Sequence, residues 1–141
     1  MPETPAPPTV ATETLLVVEN ESAIRSLVQV ALERHGYRVL SAESGEEALR
    51  VDAGHEGAID LLITDVFMAD LRGPELARQL VKLRPGLAVL FMSGYTDEAL
   101  DGHGMQETTI DFIQKPFSPR ALAAKVRDML DRPRRAAAEP T

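Results

Sequence analysis

The sequence predicts an α/β fold, a doubly wound five-stranded parallel sheet with helices on both faces. Three observations lead there. Five short apolar runs, at residues 15–18, 37–42, 59–63, 87–92 and 110–113, alternate with segments of helical spacing. The first, third and fourth runs are apolar almost without interruption, as strands covered on both faces are. The second alternates and the fifth is short, as edge strands are.

Each element has its own warrant. The first strand, "LLVV", runs straight into Glu19-Asn20. Ile24, Leu27, Val28, Ala31 and Leu32 then follow the i, i+3, i+4 rule of a helix with one apolar stripe, and His35-Gly36 stops it. The second strand, "YRVLSA", carries Arg38. Ser44 with Glu47 makes a capping box that starts the second helix. The third strand leads to Asp65, and Leu76, Ala77, Leu80 and Val81 form the next helical stripe, stopped by Pro85-Gly86. The fourth strand ends at Ser93, and the fifth includes Asp111 and ends at Lys115-Pro116. Ser118-Pro119 is an N-cap followed by a proline at the first helical position, and Leu122, Val126, Met129 and Leu130 form the last stripe. With runs two and five at the edges, the strand order is 2-1-3-4-5, the flavodoxin-like arrangement.

Size and composition fit one ordinary globular domain. The chain has 141 residues, 44% hydrophobic and 26% charged. Its net charge of −7 argues against a nucleic-acid partner, because phosphate contacts need a basic face. Cysteine is absent, which excludes disulfides and thiol chemistry. No apolar run approaches the roughly 18 residues of a membrane span, and no signal peptide is visible, so membrane insertion is not expected and the cytoplasm is the default address. Residues 1–12 are Pro-rich and read as a flexible segment, residues 13–131 as the folded domain, and residues 132–141 as a flexible tail.

In such sheets ligands bind outside the carboxyl ends of the strands. Four strands end there on polar groups: Glu19-Asn20, Asp65, Ser93 and Lys115. Two acids and an amide can hold a hard divalent cation such as Mg2+. Lysine is a compact charge suited to phosphate, a hydroxyl can donate to a phosphoryl oxygen, and an aspartate can itself become an acyl phosphate. Taken singly, Asp65 reads equally well as a loop cap, and Ser93 and Lys115 as ordinary turn residues. Their coincidence at one edge is the signal.

The segments "LLVVEN", "LLITDVFM", "FMSGY" and "FIQKPF" resemble the response-regulator receiver domain of two-component signalling over the whole folded part. The resemblance implies that Asp65 is the phosphoacceptor. It implies that Glu19, Asn20, Asp65 and the backbone carbonyl of Phe67 hold Mg2+. It further implies that Ser93 and Lys115 bind the phosphoryl group, that Phe112 is the switch aromatic, and that Phe67 and Tyr95 tune the lifetime of the phosphoryl group. The implied partners are a histidine kinase or histidine phosphotransfer protein upstream and a protein target downstream. The responding surface is that of the fourth helix, fifth strand and fifth helix. "FMSGYTDEAL" resembles receivers of hybrid histidine kinases, although a free single-domain regulator fits equally, as a monomer or weak dimer.

Two residues depart from that pattern. Asn20 stands where a second carboxylate is usual, so weaker Mg2+ binding and slower phosphorylation are expected than with Asp. Ala69 stands where proline is common. Three functions follow: a phosphoaccepting receiver that is not an enzyme, a degenerate receiver acting as an interaction module, or an aspartate-nucleophile phosphohydrolase. The third is disfavoured because Asp65 and Asp70 lack the two-residue spacing of aspartyl phosphatases.

Overall fold

The computed structural model describes residues 13–66, 70–93 and 110–132. Nine elements occur among them: β1 (Thr14–Val18), α1 (Ser22–Glu33), β2 (Arg38–Ala42), α2 (Gly45–Gly54), β3 (Leu61–Asp65), α3 (Gly73–Leu83), β4 (Ala88–Ser93), β5 (Ile110–Gln114) and α4 (Pro119–Leu130). The helix expected between the fourth and fifth strands lies outside the described residues, so the last helix, the fifth by sequence, is α4. The sheet is parallel throughout, in the order β2-β1-β3-β4-β5 expected from the sequence.

Alternation along the strands sorts the core into two layers. Leu15, Val17, Leu61, Ile63, Leu90 and Met92 face α1 and α4, where they meet Val28, Leu32, Leu122 and Val126. Leu16, Val18, Leu62, Val89 and Phe91 face α2 and α3, where they meet Ala48, Leu76, Ala77 and Leu80. Each central strand is therefore buried on both faces, which is why its sequence shows a continuous run instead of alternation.

Local signals place the helix ends. Ser44 Oγ accepts the Glu47 backbone N–H at 3.0 Å. The Glu47 carboxylate reaches back one residue beyond the cap, to the N–H of Glu43 at 2.7 Å. Ser118 Oγ accepts from the N–H of Ala121 at 3.0 Å, with Pro119 in the first turn. Gly36 and Gly86 take φ of 91° and 93°, the left-handed conformation that ends a helix at little cost only for glycine.

Two expectations need correction. Leu27 was expected on the buried stripe of α1 but is 43% exposed; the stripe is Ile24, Val28, Ala31 and Leu32. Both choices obey helical spacing, and only the neighbours decide which side of a wide stripe is covered. The third strand begins at Leu61, not Ile59: at Asp60 the backbone N–H already reaches the Thr14 carbonyl at 2.8 Å, but the N–H of Thr14 goes to the Asp60 carboxylate at 2.9 Å instead of to a strand carbonyl.

Candidate functional site

The register of the sheet brings the polar strand ends together. Val18 pairs with Thr64 and Asp65 with Met92, so the residues that follow β1 and end β3 are neighbours at one edge of the sheet. Ser93 pairs with Gln114, which places Lys115 one step beyond β5 at that same edge.

Glu19 is held on three sides. Its backbone N–H continues the ladder to the carbonyl of Ala42 at 3.1 Å. Its Oε2 accepts the N–H of Glu21 at 3.0 Å, and its Oε1 accepts from Lys115 Nζ at 3.0 Å. The side chain is only 1% exposed, so a carboxylate is buried here and needs these partners. Asp65 takes the same ammonium: Lys115 Nζ lies 3.2 Å from its Oδ2. Partial burial works against the charged form of Lys115. The hydrogen bond to Glu19 and the charges of Asp65 and Glu19 outweigh it, and the lysine pKa lies above its ordinary value.

Among the sequence-predicted residues, Lys115 thus joins Glu19 and Asp65, touching both. Asn20 is exposed at the mouth of the site, next to Glu19. Ser93 ends β4 at the same edge. Phe112 lies on β5 opposite the buried Phe91 and is 43% exposed. Phe67 and Tyr95 lie outside the described residues, as does Ala69.

Other residues support the site and were not singled out from sequence. Arg25 donates from Nη1 to the backbone carbonyl of Glu19 at 2.7 Å, bracing the turn from β1 into α1. A cation near a helix N-terminus runs against the helix dipole, and that misfit is the signal that could have flagged it. Gly73 passes so close to Asp65 that a Cβ there would lie 2.2 Å from the Asp65 carbonyl oxygen. Asp70 accepts from the N–H groups of Gly45 and Glu46 at 3.3 and 2.9 Å, tying the chain after β3 to the start of α2.

The donor set suits a hard divalent cation. Two carboxylates already share one monovalent cation, the Lys115 ammonium, within about 3.2 Å, and Mg2+ commonly takes one or two carboxylates with water completing the shell. No group of three or more acidic, histidine or cysteine side chains placed to hold a metal occurs among the described residues. Glu19 and Asp65 supply the two carboxylates, and Asn20 follows Glu19 directly in the chain.

Known proteins resemble this chain in sequence and fold. The family model described as "Response regulator receiver domain" matches residues 15–127. The sensor kinase CckA of Brucella abortus is 38% identical over 119 residues, covering 84% of this chain and 13% of the kinase. The transcriptional regulatory protein CreB of Escherichia coli is 37% identical over 120 residues, covering 85% of this chain and 52% of CreB. The chain thus spans about half or less of these relatives. Among solved structures, the receiver domain of the hybrid histidine kinase CckA matches with a TM-score of 0.72 at 37% identity, covering 84% of this chain and 99% of that one. A response regulator receiver domain protein from Clostridium thermocellum matches with a TM-score of 0.74 at 29% identity, covering 84% and 94%. No described helix is long and apolar enough to cross a membrane.

Proposed function

Since the chain belongs to the response-regulator receiver family of two-component systems, we propose that Asp65 accepts a phosphoryl group from a histidine kinase or histidine phosphotransfer protein. The supporting observation is the single ammonium of Lys115 set between the carboxylates of Glu19 and Asp65, drawn from the ends of the first, third and last strands. In the transfer, a carboxylate oxygen of Asp65 bonds to phosphorus as the P–N bond to the donor imidazole breaks, leaving an acyl phosphate and a neutral histidine once a proton is taken up. Such transfers need positioning and charge neutralisation more than covalent chemistry. Mg2+ would be held by Glu19, Asp65 and Asn20, with the backbone carbonyl of Phe67 as the family resemblance implies, and would supply further neutralisation of the phosphoryl oxygens when bound.

Lys115 keeps one partner through the reaction. It is released from the Asp65 carboxylate, which gives up its charge, and turns to the new phosphoryl oxygens. Ser93 donates to the same group. The product adds about −1.5 to −2 charge at the edge of the sheet. That charge biases Phe112 from its exposed position toward a buried one, altering the surface around β5 and the last helix for a downstream target. The folded receiver unit is residues 13–131, and its setting is the cytoplasm.

One observation favours a second reading, an interaction module that works without phosphorylation: Asn20 leaves only two carboxylates at the site. Intact mass after incubation with acetyl phosphate and Mg2+ separates the two. A gain of one phosphate, absent in Asp65→Asn, is the expected result. No gain at saturating Mg2+ in either the wild type or Asn20→Asp sinks the phosphoacceptor reading.

A further inference from the structure

On the face of the sheet covered by α1 and α4, an open groove of about 570 Å³ lies between the end of α1 and the length of α4. Arg34 and His35 line one side, Arg120 and Arg127 the other, over a floor that includes Ala123 and Ala124. The chain as a whole is acidic, and most of its described arginines are engaged: Arg25, Arg50, Arg78, Arg84 and Arg132 each hold a hydrogen bond or ion pair within the protein. Arg127 donates to Glu13 and Tyr37 and pairs with Asp131. Arg34 and Arg120 are exposed, and among the described residues their guanidinium groups have no partner.

We propose that this groove docks an acidic, extended peptide segment of a partner protein, with carboxylates on Arg34 and Arg120. The assignment is independent of the phosphoacceptor reading. Charge complementarity is the first argument, since guanidinium is a fork that matches a carboxylate in a bidentate way. One of the lining arginines, Arg127, already shows the chemistry, holding the carboxylate of Glu13 at 3.0 Å.

Two observations favour a peptide over a small phosphorylated ligand. The N-terminus of α4 offers no cradle of free N–H groups, because Pro119 has none and the N–H of Ala121 is taken by Ser118. On α1, the helix that Arg34 caps, Leu27 and Val30 are 43% and 48% exposed, apolar surface that a small anion does not cover.

The test is an NMR titration of the 15N-labelled full chain with an acetylated, amidated decapeptide in which Glu alternates with Ala and Leu. Saturable shifts at the amides of Ala31, Ala123 and Ala124 are expected. Arg34→Glu with Arg120→Glu should weaken binding at least about tenfold, equivalent to about 1.4 kcal/mol. Arg50→Glu, the same charge reversal on α2 across the sheet, should leave binding unchanged, and thermal melts establish that each variant is folded. No saturable shift up to about 1 mM peptide, a binding free energy weaker than about −4 kcal/mol, overturns the proposal. So does equal weakening by Arg50→Glu, or pyrophosphate that reproduces the same shifts at lower concentration than the peptide.

Discussion

Lys115 donates to Glu19 at 3.0 Å from beyond the far edge of the sheet, across the two strands β4 and β3 that separate β5 from β1. The contact joins residues 96 positions apart in the chain. It also leaves the site one positive charge for two carboxylates, since Asp65 shares the same ammonium. The electrostatics of the site follow from that imbalance.

Replacing Lys115 by Met removes the one counter-charge these two side chains share. Glu19 is buried and Lys115 about a fifth exposed, so the pair is screened only in part. A loss of about 1–3 kcal/mol is expected, below the full cost of breaking a buried pair because solvent reaches the lysine. Denaturation in EDTA measures it. Added Mg2+ should recover part of the loss, because a cation again sits between the carboxylates. Equal stability of the two proteins in EDTA contradicts this account.

The same contact sets an alkaline limit. The folded-state pKa of Lys115 is raised above its ordinary 10.5. The folded protein then binds more protons than the unfolded chain above that pH, and stability falls as pH rises. The contribution is complete below about 10.5 and is lost as pH climbs through the folded value. Tyr37 works in the same direction from its ordinary 10.0: burial raises its pKa most, and the opposing effect of Arg127 does not cancel it. Denaturation across this range should show a fall that is smaller in Lys115→Met and smaller again with Tyr37→Phe added.

Much of this architecture was legible in the sequence because strand burial and helix caps are local. The continuous runs ending at Val18, Ile63 and Met92 marked central strands, and Ser44 and Ser118 marked helix starts. Leu27 was misread because periodicity gives the width of a stripe and not which edge the neighbours cover. At the site, Glu19, Asp65 and Lys115 were legible as strand-end residues of complementary charge. Arg25, Asp70 and Gly73 were not, because their roles are backbone contacts. Arg25 reaches a carbonyl, Asp70 two amides, and Gly73 is needed for the room it leaves.

Gly73 tests that last statement. A methyl group there would stand 2.2 Å from the Asp65 carbonyl oxygen and 3.1 Å from the Val66 Cα, both backbone atoms that cannot rotate aside. Gly73→Ala, normally favourable in a helix by about 1 kcal/mol, should instead destabilise by about 2–3 kcal/mol through overpacking. It should also move the Asp65 carboxylate away from Lys115. Urea denaturation gives the first quantity, and loss of labelling by acetyl phosphate in the folded variant gives the second.

Arg25→Ala tests the brace on the first turn. The hydrogen bond to the Glu19 carbonyl at 2.7 Å is charge-assisted and partly buried, so its loss should cost about 1 kcal/mol. Releasing that carbonyl frees the Glu19-Asn20 turn, and the melting temperature gained on adding Mg2+ should shrink relative to wild type. An unchanged Mg2+ response, with the loss of stability present, would mean that Arg25 secures the fold and not the site.

Asn20→Asp bears most directly on how the site works. The position is exposed and adjacent to Glu19, which already competes with Asp65 for one ammonium. A third carboxylate adds like charge without a counter-ion, and at an exposed position the expected cost in EDTA is up to about 1 kcal/mol. Mg2+ should reverse the sign, because a charged oxygen is a stronger ligand for a hard cation than an amide oxygen. The variant should therefore melt below wild type in EDTA and gain more from Mg2+, with the two curves crossing as metal is added. Its rate of labelling by acetyl phosphate should rise with the tighter binding. A variant that loses stability in EDTA and gains no more from Mg2+ than wild type would show that position 20 lies outside the metal site. The amide would then have no bearing on phosphorylation.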